Sequence, residues 1–236
     1  MEVEGVATAN LSWDLSKGPV PPPLQNKLVD HCLLELLQYA NGSNHAILRL
    51  VFKHPQVGAS SRAPANTQGV RMELEVQDEA GTGPVEGQLV VKTFTYTGTH
   101  RNAAVSHMLP VKGQKAVRHF INIAQKVKLT PCDFNSLNSD TVGCRDFLSQ
   151  FIYHLDRGNV LKLPNDKATS VYDLFNWKYS LSGATRVPTV IYYAAFNQNY
   201  QHVNIPGCVY PAAAGAGAAG AAGGAKWAKG AGAAGQ

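Results

Sequence analysis

The chain has 236 residues, 44% of them hydrophobic and 16% charged, with a formal net charge of +5. Setting aside Lys226 and Lys229, which lie in a C-terminal run of Ala and Gly, reduces 21 basic residues to 19 against 16 acidic ones, a net of +3. That balance lacks the concentrated basic face of a nucleic-acid binder, and no run of 18 uncharged apolar residues offers a membrane-spanning helix.

Residues 1–23 read as a Pro-rich N-terminal extension. MEVEGVATANLSWDL places acids where a secretory signal needs bases and has no apolar centre, and the prolines of KGPVPPPL favour a stiff polyproline II lead-in. Residues 24–210 have the length of one domain with a sizeable core. Residues 211–236 are almost entirely Ala and Gly, bury little apolar surface and are expected to be a disordered tail. These features predict a cytoplasmic protein with reduced thiols.

Within the domain, LQNKLVDHCLLELLQYANG places Leu28, Cys32 and Leu36, and Leu33 and Leu37, at helical spacing, and Asn41-Gly42 reads as a helix stop. It predicts a helix on the domain surface, solvated at Asp30 and Glu35. NHAILRLVFKHP is β-branched and aromatic and predicts a strand opening near His45. GVRMELEVQD alternates cleanly, with Val70, Met72, Leu74 and Val76 on one face and Arg71, Glu73 and Glu75 on the other. GQLVVKTFTYTG predicts a third strand and Ala103 to Val111 a fourth, giving an antiparallel meander.

The period then changes. KGQKAVRHFINIAQKVK aligns Val117, Phe120, Ile121, Ala124 and Val127 along one helical stripe. TPCDFNSLNSDTVG reads as a loop in which Asp140 or Thr141 caps the next helix. CRDFLSQFIYHLDRG buries Phe147, Leu148, Phe151, Ile152 and Leu155 and stops at Gly158. SVYDLFNWKYSL predicts a shorter helix and PTVIYYAAF a last strand. The fold class is α+β: an antiparallel sheet with packed helices.

Four cysteines, Cys32, Cys132, Cys144 and Cys208, show no two-residue spacing of the zinc-ribbon or thioredoxin kind. GTGPVEG and GAGAAG carry no phosphate-binding fingerprint, so neither cofactor nor metal is expected. Cys144 is different in its setting. It opens a helix, where free N–H groups and the positive end of the macrodipole favour a thiolate, and Arg145 adds positive charge. A nucleophilic thiolate needs an imidazole from elsewhere in the fold. Of the eight His, His31, His119 and His154 read as helical and His54 as the end of a strand. His100, His107 and His202 lie in loop-like or unassigned context, and His45 opens a strand after a tight Asn-Gly-Ser turn. His45 is the candidate base. Glu73, on the neighbouring strand, is the candidate that orients it, with Glu75 and Asn44 as alternatives. The competing reading takes Cys144 as a small buried hydrophobe and His45 as a satisfied strand-end residue.

The order His before Cys, in NHAILRL and VGCRDFL, resembles the circularly permuted papain-like superfamily that includes lecithin retinol acyltransferase relatives. Asn44-His45-Ala46, Val70-Arg71-Met72-Glu73 and Gly143-Cys144-Arg145-Asp146-Phe147 also resemble a family of uncharacterised fungal proteins. The corresponding motifs of that family are Asn-His-Trp, Val-Arg-Leu-Asp and Gly-Cys-Arg-x-Trp; here Ala46 and Phe147 depart from it. The resemblance implies a permuted papain-like architecture and a cysteine-dependent hydrolase or acyltransferase with a Cys144–His45 dyad. The alternative is a non-catalytic binding module of the same fold. The expected partner is a small-molecule or protein ligand, with no nucleic acid and no membrane span.

Overall fold

The alternation in GVRMELEVQD builds the middle of a six-stranded antiparallel sheet. The computed structural model describes residues 10–39, 44–56, 64–76, 87–129, 132–133, 135–137, 140–163, 168–180, 182–196 and 199–211. In chain order the elements begin with β1 (Ser12–Asp14), α1 (Pro22–Gln25), β2 (Leu28–Gln38), β3 (Asn44–Gln56), β4 (Thr67–Val76), β5 (Gly87–Phe94) and β6 (Ala103–Ala116). There follow α2 (Val117–Lys126), β7 (Cys132–Asp133), β8 (Asn135–Leu137), β9 (Asp140–Val142), α3 (Cys144–Arg157) and α4 (Ala168–Asp173). A 3₁₀ turn at Leu174–Asn176 leads into β10 (Trp177–Tyr179), β11 (Arg186–Pro188) and β12 (Ala195–Phe196).

The sheet order is β1-β5-β4-β3-β2-β6. Strands β3 to β5 follow the expected meander, but β2 precedes them in it, and β6, expected as its fourth strand, lies not beside β5 but on the far side of β2, through a register running from Leu28↔Ala116 to Leu37↔Ala103. One face carries Leu34 and Leu36 of β2, Leu48 and Leu50 of β3, Val70 and Met72 of β4 and Val91 of β5, all buried. This face packs with Val117, Phe120 and Ala124 of α2 and Phe147, Leu148, Phe151 and Leu155 of α3 into one core. Each buried phenylalanine contributes roughly 1.5–3 kcal/mol of apolar transfer.

Several expectations are corrected. The predicted helix of LQNKLVDHCLLELLQYANG is the strand β2, preceded by the single turn α1; Asn41-Gly42 lies outside the described residues. As an inner strand, β2 is buried on both faces. Its segment Cys32 to Leu37 is therefore apolar apart from Glu35, with no alternation, and such a run satisfies helical and strand spacing alike. Glu35, expected on a solvated face, is fully buried, and His31 belongs to this strand rather than to a helix. His107 lies on β6, the strand expected from Ala103 onward. The prolines divide: Pro21 is extended (φ −55°, ψ 137°), whereas Pro22 opens α1, where a missing N–H costs nothing. The segment 1–23 supplies β1, which pairs with β5 as Ser12↔Lys92 to Asp14↔Val90, and the fully buried Val20. The folded unit thus reaches back into the expected extension. The expected tail beyond Pro211 lies outside the described residues.

Further along, Asp140–Val142 pairs with Asn135–Leu137 instead of capping α3, whose N-cap is Gly143 with no side-chain cap. SVYDLFNWKYSL is only half helical; Trp177–Tyr179 turns into a hairpin with Arg186–Pro188. Apart from Pro188, which ends β11, PTVIYYAAF contributes only the two-residue strand β12. Its backbone donors are taken elsewhere: Thr189 N–H by the Asn176 carbonyl at 2.7 Å, Ile191 N–H by the Val209 carbonyl at 2.7 Å and Ala194 N–H by the Asp146 carboxylate at 2.8 Å.

Candidate functional site

The β3–β4 ladder runs from Val51↔Gly69 to Leu48↔Met72 and stops there. Beyond that point β3 continues beside β2 alone, through Leu37↔His45 to Gln38↔Asn44, while β4 continues beside β5 to Val76↔Gly87. The sheet therefore splits at one end, and α3 meets both β3 and β4. Its first residue, Cys144, sits against the freed end of β3, where the Ala46 N–H donates to the sulfur.

The geometry of Gly143 makes this approach workable. It holds φ at 135°, and a methyl group on its Cα would lie 3.2 Å from both Cα and Cβ of Ala194. Only glycine meets both conditions without strain. The turn into α3 then closes with the Phe147 N–H on the Gly143 carbonyl at 2.9 Å.

The His45 imidazole and the Cys144 thiol lie within hydrogen-bonding reach of one another. On its other side, His45 Nε2 lies 3.3 Å from Glu73 Oε2, which leaves Nδ1 as the ring nitrogen for the thiol. Of the three orienting candidates, Glu73 is the one bonded to the imidazole. Glu75 pairs with Lys92, and Asn44 Oδ1 accepts from Arg145 Nη2 at 3.2 Å and from the Tyr179 N–H at 3.4 Å. Glu73 is itself held by cations, with Arg71 Nε at 2.9 Å and Lys92 Nζ at 3.5 Å from its Oε1.

These contacts set the charges. Burial works against ionisation of Cys144, but the His45 hydrogen bond, the imidazolium charge, Arg145 and the Ala46 amide together hold its thiol below the ordinary value. Burial likewise opposes charge on His45, yet its bonds to Cys144 and Glu73 raise it to about 10. Burial of Glu73 is outweighed by His45, Arg71 and Lys92, which bring it down to about 2. These directions all favour an anion–cation–anion series of thiolate, imidazolium and carboxylate. Cys144 is 8% exposed, and the His45 side chain 19%.

The other thiols behave differently. Burial alone pushes Cys32 well above the ordinary value, and burial raises Cys208 to about 12 despite hydrogen bonds from Ser149 and Tyr210. Cys32, Cys144 and Cys208 are free, and the Cys132 side chain lies outside the described residues. Among the described residues no three His, Cys, Asp or Glu are grouped to hold a metal ion, and no helix is long and apolar enough to cross a membrane.

Three supports of this site went unread in the sequence: the Arg145–Asn44 link, the cations on Glu73, and the packing of Ala194 on Gly143. The alternation of VRMELEV did place Arg71 and Glu73 on one face, which was the signal for the second. The third joins residues about 50 positions apart and leaves no local pattern. Comparison of the chain with models of known families, with curated proteins and with solved structures finds no match.

Proposed function

We propose that this protein is a cysteine-dependent hydrolase or acyltransferase of permuted papain-like architecture, with Cys144 as nucleophile, His45 as acid–base and Glu73 as the group that orients the imidazole. The observation that carries the reading is the approach of the His45 imidazole to the Cys144 thiol at the start of α3, with Glu73 Oε2 3.3 Å from the imidazole Nε2.

The Cys144 thiolate attacks an acyl or amide carbonyl, and a carbon–sulfur bond forms as the carbonyl π electrons move to oxygen. The Cys144 N–H and the positive start of α3 stabilise that oxyanion. The His45 imidazolium protonates the departing nitrogen or oxygen, leaving a thioester. Water, or the hydroxyl or amine of an acceptor, then attacks the thioester; His45 takes its proton, and the thiolate is released. A protein acting this way in the cytoplasm works on a small-molecule or protein substrate. The low exposure of Cys144 favours a second reading, a non-catalytic binding module of the same fold.

Iodoacetamide labelling of the native protein across about pH 5 to 9, read for each cysteine by peptide mass spectrometry, separates the two. The catalytic reading expects Cys144 to react fastest, with a midpoint well below the free-thiol value of about 8.5, and His45→Ala to abolish that advantage. A Cys144 that is inert, or that titrates like Cys32 and Cys208, sinks it.

A further inference from the structure

We propose that Arg145 and Asn44 are positioning residues for the thiol–imidazole pair, forming a second tie that runs beside it between α3 and β3. The inference rests on the catalytic reading given above and adds to it what holds the pair in register.

Two consecutive residues of β3, Asn44 and His45, meet two consecutive residues of α3, Cys144 and Arg145. The end of β3 needs such a tie. Past Leu48 it has lost β4, and its ladder to β2 secures it from one side only. The guanidinium spans the gap. Its Nη2 donates to Asn44 Oδ1 at 3.2 Å and its Nη1 to the Phe175 carbonyl at 2.9 Å. The Tyr179 N–H reaches the same Asn44 oxygen at 3.4 Å. One amide and one guanidinium thus join β3, α3 and the backbone leading into β10. A planar fork grips two oxygens in two directions at once; an ammonium does not.

The charge has a direction too. The hydrogen-bond partners of Arg145 among the described residues are neutral oxygens, and Cys144 is the anion whose charge acts on it most. Among the described residues, the other charged or titratable groups near the pair are Glu73, Glu75, Arg71, Lys92 and the phenols of Tyr39 and Tyr179, the last of which also acts on Arg145. Of these, the cations Arg71 and Lys92 are engaged by Glu73, and Lys92 by Glu75 as well. The positive charge of Arg145 therefore acts on the thiolate without a carboxylate bonded to it.

The test is the pH profile of Cys144 alkylation in wild type, Arg145→Met, Arg145→Lys and Asn44→Ala, with circular dichroism to confirm the fold. Arg145→Met is expected to move the Cys144 midpoint up by about one unit, a rate loss of about tenfold well below the midpoint. Arg145→Lys is expected to keep most of the midpoint and lose rate on the plateau, because charge is retained and the fork is not. Asn44→Ala, which leaves the charge in place, is expected to lower the plateau in the same way. A purely structural role would lower the melting temperature and leave every profile superimposable, and that result overturns the proposal. If Arg145→Met does not fold, the plateau rates of the other two variants decide. A depressed wild-type midpoint with unchanged variants overturns this inference alone. An ordinary wild-type midpoint overturns the catalytic reading and this inference with it.

Discussion

Glu73 shows how one buried carboxylate can serve a site and the stability of the chain together. It faces His45 on one oxygen and Arg71 and Lys92 on the other, so its charge is wanted by three cations at once. Glu73→Gln keeps the shape and removes the charge. The imidazolium then loses its partner, and the Cys144 alkylation midpoint rises, with a rate loss of roughly tenfold at about pH 6. The stability effect has a definite sign. The folded state holds Glu73 at about 2 against an ordinary 4.5, so its stabilisation is complete above the ordinary value and is lost as pH falls through the window between the two. Urea unfolding of wild type and Glu73→Gln should differ most near neutral pH, by at most about 3 kcal/mol, and converge toward about pH 2. A gap that is constant with pH counts against this account. At this scale the sequence was informative: a thiol at a helix start and a carboxylate on an alternating strand are local patterns. Which of Glu73, Glu75 and Asn44 meets His45 was not legible, because that depends on where the β3–β4 ladder stops.

Among the elements, α3 carries the most. Its inner surface is apolar along the core, but Asp146 and Gln150, one turn apart, are buried polar residues turned to the irregular segment 191–211. The Asp146 carboxylate accepts from the Ala194 N–H at 2.8 Å, from His202 Nε2 at 2.8 Å and from the Tyr210 hydroxyl at 3.1 Å. Gln150 donates to the Val203 carbonyl at 2.8 Å and accepts from the Val203 N–H at 3.0 Å and the Tyr200 hydroxyl at 2.6 Å. Asp146 thus takes one of the backbone donors that PTVIYYAAF would have paired as a strand, and the Asn176 and Val209 carbonyls take those of Thr189 and Ile191. Its sequence reads as β because it is apolar and branched, yet its partners are one helix side chain and backbone carbonyls distant in sequence, and no local pattern encodes them. Gln150→Ala removes the side-chain partner of the half-buried Val203 N–H and carbonyl and one partner of the Tyr200 hydroxyl, which keeps His154 Nε2 at 3.0 Å, so a loss of roughly 2–4 kcal/mol is expected in chemical unfolding, with faster proteolysis within 191–211. Cleavage sites that stay where they are in wild type would argue against this anchoring. The helix-versus-strand error at β2 has the related cause that burial on both faces erases the alternation that marks a strand.

At the scale of the whole molecule, the sheet has two unlike faces. The one toward α2 and α3 is aliphatic. The other holds a buried ion pair, Arg49 Nη1 to Glu35 Oε1 at 2.8 Å, with the Arg49 guanidinium 4.2 Å from the ring centre of Phe94 and 4.3 Å from that of Tyr96. The Gly98 carbonyl and the His100 N–H complete it, at 2.8 Å from Arg49 and 3.1 Å from Glu35. Arg49→Met strands a carboxylate in the interior and should cost about 3–5 kcal/mol, whereas adding Glu35→Leu should recover much of it. Equal losses from the single and double variants in denaturant unfolding would refute this assignment. The sequence made four of the six sheet strands, β3 to β6, and their antiparallel class legible, through alternation in β4 and β5; β1 and β2 carry no such signal. That Glu35 and Arg49 share the interior is not legible either, because the helical spacing of β2 places Glu35 in water.

The two ties at the split end of the sheet join points far apart along the chain; Asn44 and Arg145 are separated by 101 positions. Closing a loop of that length carries a substantial entropic penalty before any contact rewards it. The helix and the meander can each begin to form from near neighbours, but the thiol meets the imidazole only when both are complete and docked. Cys144 is therefore a clock for the last stage of folding: an ordinary thiol on the nascent chain, and an activated one only once the protein has finished assembling.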